Sequence, residues 1–302
     1  MSQTTNTLLL IRPVRFQYNN ETADTNAFQN PDKLNEFAQD RALDEFNRMV
    51  KTLRENGVGA MVFDDTTEPH TPDSIFPNNW FSTHEEGSVV LYPMYAHNRR
   101  QERRHDIFDT LTQYFSLTDI IDLTNLEKED KYLEGTGSMV LDRDARICYA
   151  CLSPRTNKEV LQIWCNKLGY ELNAFHAVDE KGNDIYHTNV MMCVGEHFLL
   201  YCDEAVKHDY ERELIEQSTS KEIITISLMQ MNAFAGNMLE VKNDKGESLL
   251  LMSDSAYDSL KPQQITRLEK YCRVLHFNIS TIEQHGGGSV RCMLAEIFLP
   301  KQ

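Results

Sequence analysis

The stretch WFSTHEEGSVVLYPM (Trp80 to Met94) places two short apolar segments on either side of a polar turn, and the same layout returns three times. The copies are SMVLDRDARICYACL (Ser138 to Leu152), VMMCVGEHFLLYC (Val190 to Cys202) and MLEVKNDKGESLLLMS (Met238 to Ser253). Their turns, EEGS, DRDA, VGEH and NDKGE, contain the Gly, Asp and Asn that supply positive φ or side-chain-to-backbone bonds. Each copy reads as a β-hairpin. Behind each runs a charged stretch with apolar residues three and four apart. These stretches, Arg99 to Tyr114, Thr156 to Leu168, Asp203 to Gln217 and Ser255 to Cys272, read as amphipathic helices.

Hairpin starts lie roughly 50 residues apart, a period that signals modules packed in an array or closed ring. Working outward, Ser289 to Pro300 adds a fifth strand-rich element. The N-terminal third fits as a first module, with a strand at Thr7 to Val14, a helix at Asp32 to Asn56 and a strand at Gly59 to Asp64. The expectation is an α/β ring of about five ββα-type units. No long Pro/Gly/Ser linker interrupts it, so residues 1–302 read as one domain.

Composition removes several function classes. Of 302 residues, 41% are hydrophobic and 25% charged, near the globular norm and enough for a sizeable core. Forty-six acids against 30 bases give a formal charge of −16, which argues against nucleic acid because phosphate binding needs a basic stripe. The cluster Arg99, Arg100, Arg103 and Arg104 is the local exception and reads as an exposed helix face. The opening MSQTTNTLLLIRPVRF lacks a positive segment before a short apolar run, so neither a signal peptide nor a membrane partner is expected. Seven irregularly spaced cysteines do not read as a disulfide framework and favour a reducing compartment such as the cytoplasm. A homo-oligomer is left open.

Four loops precede predicted strands: TPDSIFPNNW (Thr71 to Trp80), LEGTGS (Leu133 to Ser138), YHTNV (Tyr186 to Val190) and HGGGSVRC (His285 to Cys292). In a closed ring, equivalent loops face one axis, so an acid, an imidazole, amides and a thiol can converge there. Cys292 follows three glycines that let backbone approach a ligand closely, although such a run also makes a simple turn. Glu134 could hold one nitrogen of His187 and leave the other to exchange protons. Cys148 and Cys151 have zinc-knuckle spacing, but within a strand residues three apart face opposite ways and no second pair exists, so no metal site is expected. Glu134 to Ser138 lacks the lysine and third glycine of a nucleotide loop.

Together these segments resemble the pentein superfamily, which includes arginine deiminases, dimethylarginine dimethylaminohydrolases and amidinotransferases. PDSIF at Pro72 to Phe76 is similar to the substrate loop of the dimethylarginine hydrolases, and LSPRTN at Leu152 to Asn157 to their LS-x-RTN segment. Glu134, His187 and Cys292 stand in the family's order. The resemblance implies a five-bladed ββαβ propeller with a central active site, a small amino-acid substrate and no cofactor. It implies that Cys292 attacks the substrate carbon as a thiolate. His187 then protonates the departing amine and activates water, and Glu134 holds His187. Asp73, beside Phe76, contacts the substrate, and Arg155 with Arg100 or Arg99 holds its carboxylate.

Two departures bear on the substrate. Members that bind a cationic guanidinium carry an acid near the end of the loop after Phe76 and an aspartate two residues after the histidine. Here those places hold Asn79, preceded by Asn78, and Asn189. A buried guanidinium without paired carboxylates costs several kcal/mol. Asparagine suits a neutral ureido group, which has a carbonyl and N–H bonds to satisfy. The reading therefore points to hydrolysis of L-citrulline to L-ornithine, ammonia and carbon dioxide. The alternatives are an arginine or dimethylarginine deiminating enzyme, an amidinotransferase, and a non-catalytic amino-acid-binding pentein.

Overall fold

The computed structural model describes residues 2–26, 28–29 and 37–302. A three-stranded sheet recurs five times among them. One sheet contains β1 (Thr7–Arg12) parallel to β2 (Gly59–Asp64). The next four are β3 (Phe81–Thr83), β4 (Ser88–Leu91) and β5 (Asp119–Asp122); β6 (Val140–Asp142), β7 (Ile147–Cys151) and β8 (Glu171–Phe175); β9 (Met192–Val194), β10 (Phe198–Tyr201) and β11 (Glu222–Thr225); and β12 (Leu239–Lys242), β13 (Ser248–Ser253) and β14 (Arg273–Phe277). In each of these four the hairpin is antiparallel and the third strand runs parallel to the second. A parallel partner needs a long crossover, and the helical stretch after each hairpin supplies it.

The ring shuts through its ends. β15 (Ala295–Glu296) pairs antiparallel with β1, through Leu8 with Glu296 and Leu9 with Ala295. The first module and the last strand-rich element are therefore one blade, and the five-bladed ββαβ propeller implied by the family resemblance, in line with the ring of about five units read from the repeat, is the fold observed. The first strands of adjacent hairpins neighbour one another, β6 against β9, β9 against β12 and β15 against β3. They line the axis and are almost wholly buried. The third strands are only partly covered and form the outside.

The crossover helix Lys158–Leu168 shows how sequence sets these elements. Val160, Leu161, Trp164, Cys165 and Leu168 fall on one face and are buried against the sheet. Asn157 closes its N-terminus by accepting from the amides of Glu159 at 2.9 Å and Val160 at 3.3 Å. Gly169 ends it at φ 72°, the left-handed conformation a glycine adopts without strain.

Three expected helices are interrupted; Asp203 to Gln217 is a 3₁₀ turn, Asp203–Ala205, followed by a separate helix, Asp209–Gln217. The stretch Arg99 to Tyr114 is a 3₁₀ turn, Asn98–Glu102, followed by a separate helix, His105–Leu111. Its first arginine turns inward, and Arg103 and Arg104 between the two are extended. The stretch Ser255 to Cys272 divides into Asp254–Ser259 and Pro262–Leu268, because proline disfavours helical backbone in the residue before it and donates no amide. The N-terminal helix is Ala38–Glu55; the expected start at Asp32 lies outside the described residues. Among the described residues no helix is long and apolar enough to cross a membrane.

Replacing Asn157 with Ala should lower the unfolding free energy by about 1 kcal/mol, the usual loss for an N-cap side chain. Chemical denaturation followed by circular dichroism measures it, and an unchanged midpoint would contradict the cap.

Candidate active site

Each innermost strand is entered through a short turn at the same end of the ring. Pro77–Asn79 leads into β3, Gly135–Ser138 into β6, Thr188–Val190 into β9, Gly236 and Asn237 towards β12, and Val290–Met293 into β15. Repetition of the blade thus delivers Asn79, Glu134, His187, Asn189, Asn237 and Cys292 to one place. Cys292, His187, Asp73, Phe76, Asn79, Arg99 and Arg155 line a single narrow cavity, with Asn26, Tyr186 and the Gly286 to Gly288 run completing its wall.

Glu134 is fully buried behind His187, and its Oε2 lies 2.8 Å from His187 Nε2. The other oxygen, Oε1, accepts from the Tyr95 amide at 3.0 Å. Burial raises the Glu134 carboxyl, but Arg155, His187 and Arg99 outweigh it and hold it well below the usual range. An ionised acceptor on Nε2 places the imidazole proton there and leaves Nδ1 as the free base. Burial pushes His187 down to about 4 against the pull of Glu134, so the ring is neutral at pH 7.

Space around the imidazole is set by glycine. A Cβ at Gly137 would stand 2.3 Å from Asn79 Nδ2 and 2.8 Å from His187 Nδ1, which excludes any other residue. The run before the thiol has a similar purpose: a Cβ at Gly286 or Gly288 would come within 2.7 Å or 2.9 Å of the Phe76 ring.

The Cys292 thiol is 3% exposed and receives two carboxamide donors, Asn237 Nδ2 at 3.3 Å and Asn189 Nδ2 at 3.5 Å. Asn237 is itself fixed, donating to the Asn189 carbonyl at 2.8 Å and accepting from the Arg291 amide at 3.0 Å. Sequence reasoning missed Asn237. Its signal was positional, since it precedes the fourth hairpin copy as Asn79 and Asn189 precede theirs.

The arginines differ from expectation. Arg99 is 2% exposed rather than on a helix surface, and donates to Glu102 through Nε at 2.8 Å and Nη2 at 2.9 Å. It also donates to Asn79 Oδ1 at 2.8 Å and to the carbonyls of Asp73 and Phe76. Burial opposes its charge, but Glu102, Asp73 and Glu134 together keep it a guanidinium. Arg100, the other candidate, does not line the cavity: it donates to the Met94 and Tyr95 carbonyls and faces Glu127 at 3.5 Å. Arg155 lies 3.5 Å from Glu134 and donates to the Thr22 carbonyl and Thr25 hydroxyl.

Asp73 Oδ2 accepts from Asn19 at 2.7 Å and Thr22 at 3.2 Å, and burial raises this carboxyl against the opposing pull of Arg99. Four of the predicted site residues keep buried polar atoms with no hydrogen-bond partner among the described residues: Asp73 Oδ1, Asn79 Nδ2, Asn189 Oδ1 and both amide atoms of Asn78. Asn78 and Asn189 lie outside the cavity lining, Asn78 against the Gly135 turn and Asn189 donating to Cys292. Cys148 and Cys151 face different apolar clusters, as their strand spacing requires.

A five-bladed ring with a thiol, an imidazole and a carboxylate on its axis defines a pentein. The chain belongs to the family described as N,N dimethylarginine dimethylhydrolase, eukaryotic, whose model matches residues 12–299. Among solved structures it is similar to ArgZ, an arginine dihydrolase from the ornithine-ammonia cycle in cyanobacteria, with a TM-score of 0.78 at 19% identity over 97% of this chain. The chain spans 41% of that full-length protein and 98% of its N-terminal domain, solved bound to substrate as a cysteine-to-serine variant. It is also similar to a dimethylarginine dimethylaminohydrolase adduct with 4-chloro-2-hydroxymethylpyridine, with a TM-score of 0.68 at 19% identity over 97% of this chain and 100% of that one. At such identity the likeness is one of fold. No curated protein matches in sequence comparison.

The His187 environment sets a pH dependence. Below its ordinary value near 6.5 the unfolded chain takes up a proton that the fold refuses until about pH 4, so stability is lost as pH falls through that window. His187→Gln should flatten the dependence of unfolding free energy on pH there by about one proton, or ~1.4 kcal/mol per pH unit. An identical slope in the variant would refute a buried neutral imidazole. Separately, Asn237→Ala should slow alkylation of Cys292 by iodoacetamide at pH 7 about tenfold, as loss of one charge-assisted hydrogen bond implies. Peptide mass spectrometry distinguishes Cys292 from the other cysteines.

Proposed function

We propose that the chain is a cysteine-dependent C–N hydrolase acting as one catalytic unit on a ureido amino acid. The reaction is L-citrulline plus water giving L-ornithine, ammonia and carbon dioxide. In this reading His187 Nδ1 takes the Cys292 proton, and the thiolate, steadied by Asn189 and Asn237, attacks the ureido carbon. The imidazolium, stabilised by Glu134, gives its proton to the departing nitrogen as the C–N bond breaks, leaving a thiocarbamate on sulfur. His187 then removes a proton from water as the water oxygen bonds to the thiocarbamate carbon, the S–C bond breaks with that proton returning to the Cys292 sulfur, and the released carbamic acid divides into amine and carbon dioxide. Arg155 is the proposed partner of the substrate carboxylate.

The observation that carries the choice of substrate is the pairing of acceptors already made. Both oxygens of Glu102 serve Arg99, and Glu134 is taken by His187 and Tyr95, so neither offers the two oxygens that clasp a guanidinium. Asn79, which lines the cavity, keeps Nδ2 as an unpaired neutral donor, matching a ureido carbonyl. Asp73 Oδ1 favours the second reading, arginine as substrate, because it is a carboxylate oxygen facing the cavity without a partner.

Assays of ammonia and ornithine with citrulline, arginine and methylated arginines separate the readings. Citrulline should turn over with kcat/KM at least about a hundredfold above arginine, a difference of ~2.7 kcal/mol. Cys292→Ala should abolish it while retaining binding. Arginine turnover with citrulline untouched would transfer the role to Asp73 and sink the ureido proposal.

A further inference from the structure

We propose that His176, His208 and Glu211 form a surface site for a borderline divalent transition-metal ion such as Zn²⁺, independent of the catalytic reading. The three offer one ligand atom each, and those atoms all lie within 4.8 Å of one another. None of the three lines the catalytic cavity. Two imidazoles and a carboxylate are the donor set that suits such ions, with bonds of about 2.0–2.2 Å.

The backbone brings these side chains together before any ion arrives. His176 follows β8 of one blade, and His208 precedes the helix Asp209–Gln217 of the next. Between them the chains form a short antiparallel bridge at Ala177 and Val206. The Lys207 amide donates to the His176 carbonyl at 2.8 Å and the Val178 amide to the Ala205 carbonyl at 2.9 Å. Glu211 stands three residues after His208 and so shares its helix face. It is buried, and its Oε2 accepts from the His176 amide at 3.0 Å.

Distances fit coordination without moving the main chain. Glu211 Oε1 lies 2.8 Å from His176 Nδ1, while two ligand atoms on one metal at these bond lengths stand about 2.9 Å apart at a right angle and about 3.3 Å at a tetrahedral one. The His176 and His208 rings are 5.8 Å apart at 76°, close enough for a side-chain rotation to bring in the third ligand. Tyr210 flanks the group, stacking on His208 at 5.5 Å and donating to Glu211 Oε1 at 3.3 Å. A hydrogen bond between Glu211 and His176 accounts for the placement of those two. It does not account for a second imidazole held against the same pair. The ion would replace the proton shared by Nδ1 and Oε1, leave its remaining positions to water, and tie two neighbouring blades together.

The test uses tag-free Cys292→Ala protein, which removes the thiol that would compete for metal beside His187. Calorimetric titration with Zn²⁺ should give one equivalent. The same titration in Cys292→Ala/His208→Ala and Cys292→Ala/Glu211→Gln should weaken binding at least about tenfold, as expected on losing one ligand. Zn²⁺ should raise the Tm of the parent and not of the doubles, and Co²⁺ should give visible absorption only in the parent. The glutamine variant keeps the acceptor for the His176 amide, so it reports on metal binding even where the alanine variant folds poorly. Absence of Zn²⁺ binding in the parent, or equal binding in all three proteins, would overturn the site.

Discussion

A buried cation organises the centre of this ring. Arg99 is removed from water, and an isolated guanidinium there is not tolerated, so the surrounding loops must compensate it. Glu102 takes two of its donors and fixes the 3₁₀ turn that breaks the expected helix. Asn79 takes another, which aims its amide nitrogen towards His187. The carbonyls of Asp73 and Phe76 accept from Nη2 and hold the segment from Asp73 to Phe76 against the axis. One side chain from the outer part of a blade thus sets the position of three cavity groups.

Much of this was legible in sequence, and the reason is periodicity. Hairpins with a clear turn, such as Val190 to Cys202, carry local information, and their repeat reports the ring without any long-range knowledge. The thiol, imidazole and carboxylate were placed by their common position before an inner strand. What escaped depends on contacts across the ring. Arg99 and Arg100 are adjacent and chemically alike, and only the direction of a 3₁₀ turn sends the first inward and the second to Glu127. Asn237 lacked any motif around it, and its importance comes from reaching Cys292 from a different blade. Closure of one blade by β1 and β15 was likewise hidden, because β15 is only two residues long and has no hairpin of its own.

The balance between the thiol and the imidazole follows from burial. A neutral His187 can accept a proton, and its partner Glu134 makes the resulting imidazolium tolerable in a site that otherwise opposes charge. The two asparagines on sulfur complement this, since they donate to a thiolate without adding a negative charge beside it. An aspartate at Asn189 would instead set a carboxylate against the nucleophile. In the proposed reaction the same amides therefore also suit a thiolate on Cys292.

The segment after β1 is tied to this centre by side-chain hydrogen bonds. Asn19 and Thr22 hold Asp73, Thr22 and Thr25 hold Arg155, and Asn26 with Gln29 reaches the carbonyls of Gly286 and Gly287. These bonds engage the Nε and Nη2 donors of Arg155, leaving Nη1 towards Glu134. If Arg155 holds the substrate carboxylate as proposed, a bidentate grip displaces Thr22 or Thr25. The exchange replaces neutral acceptors by a charged one, so each new bond to Arg155 is stronger than the one it replaces.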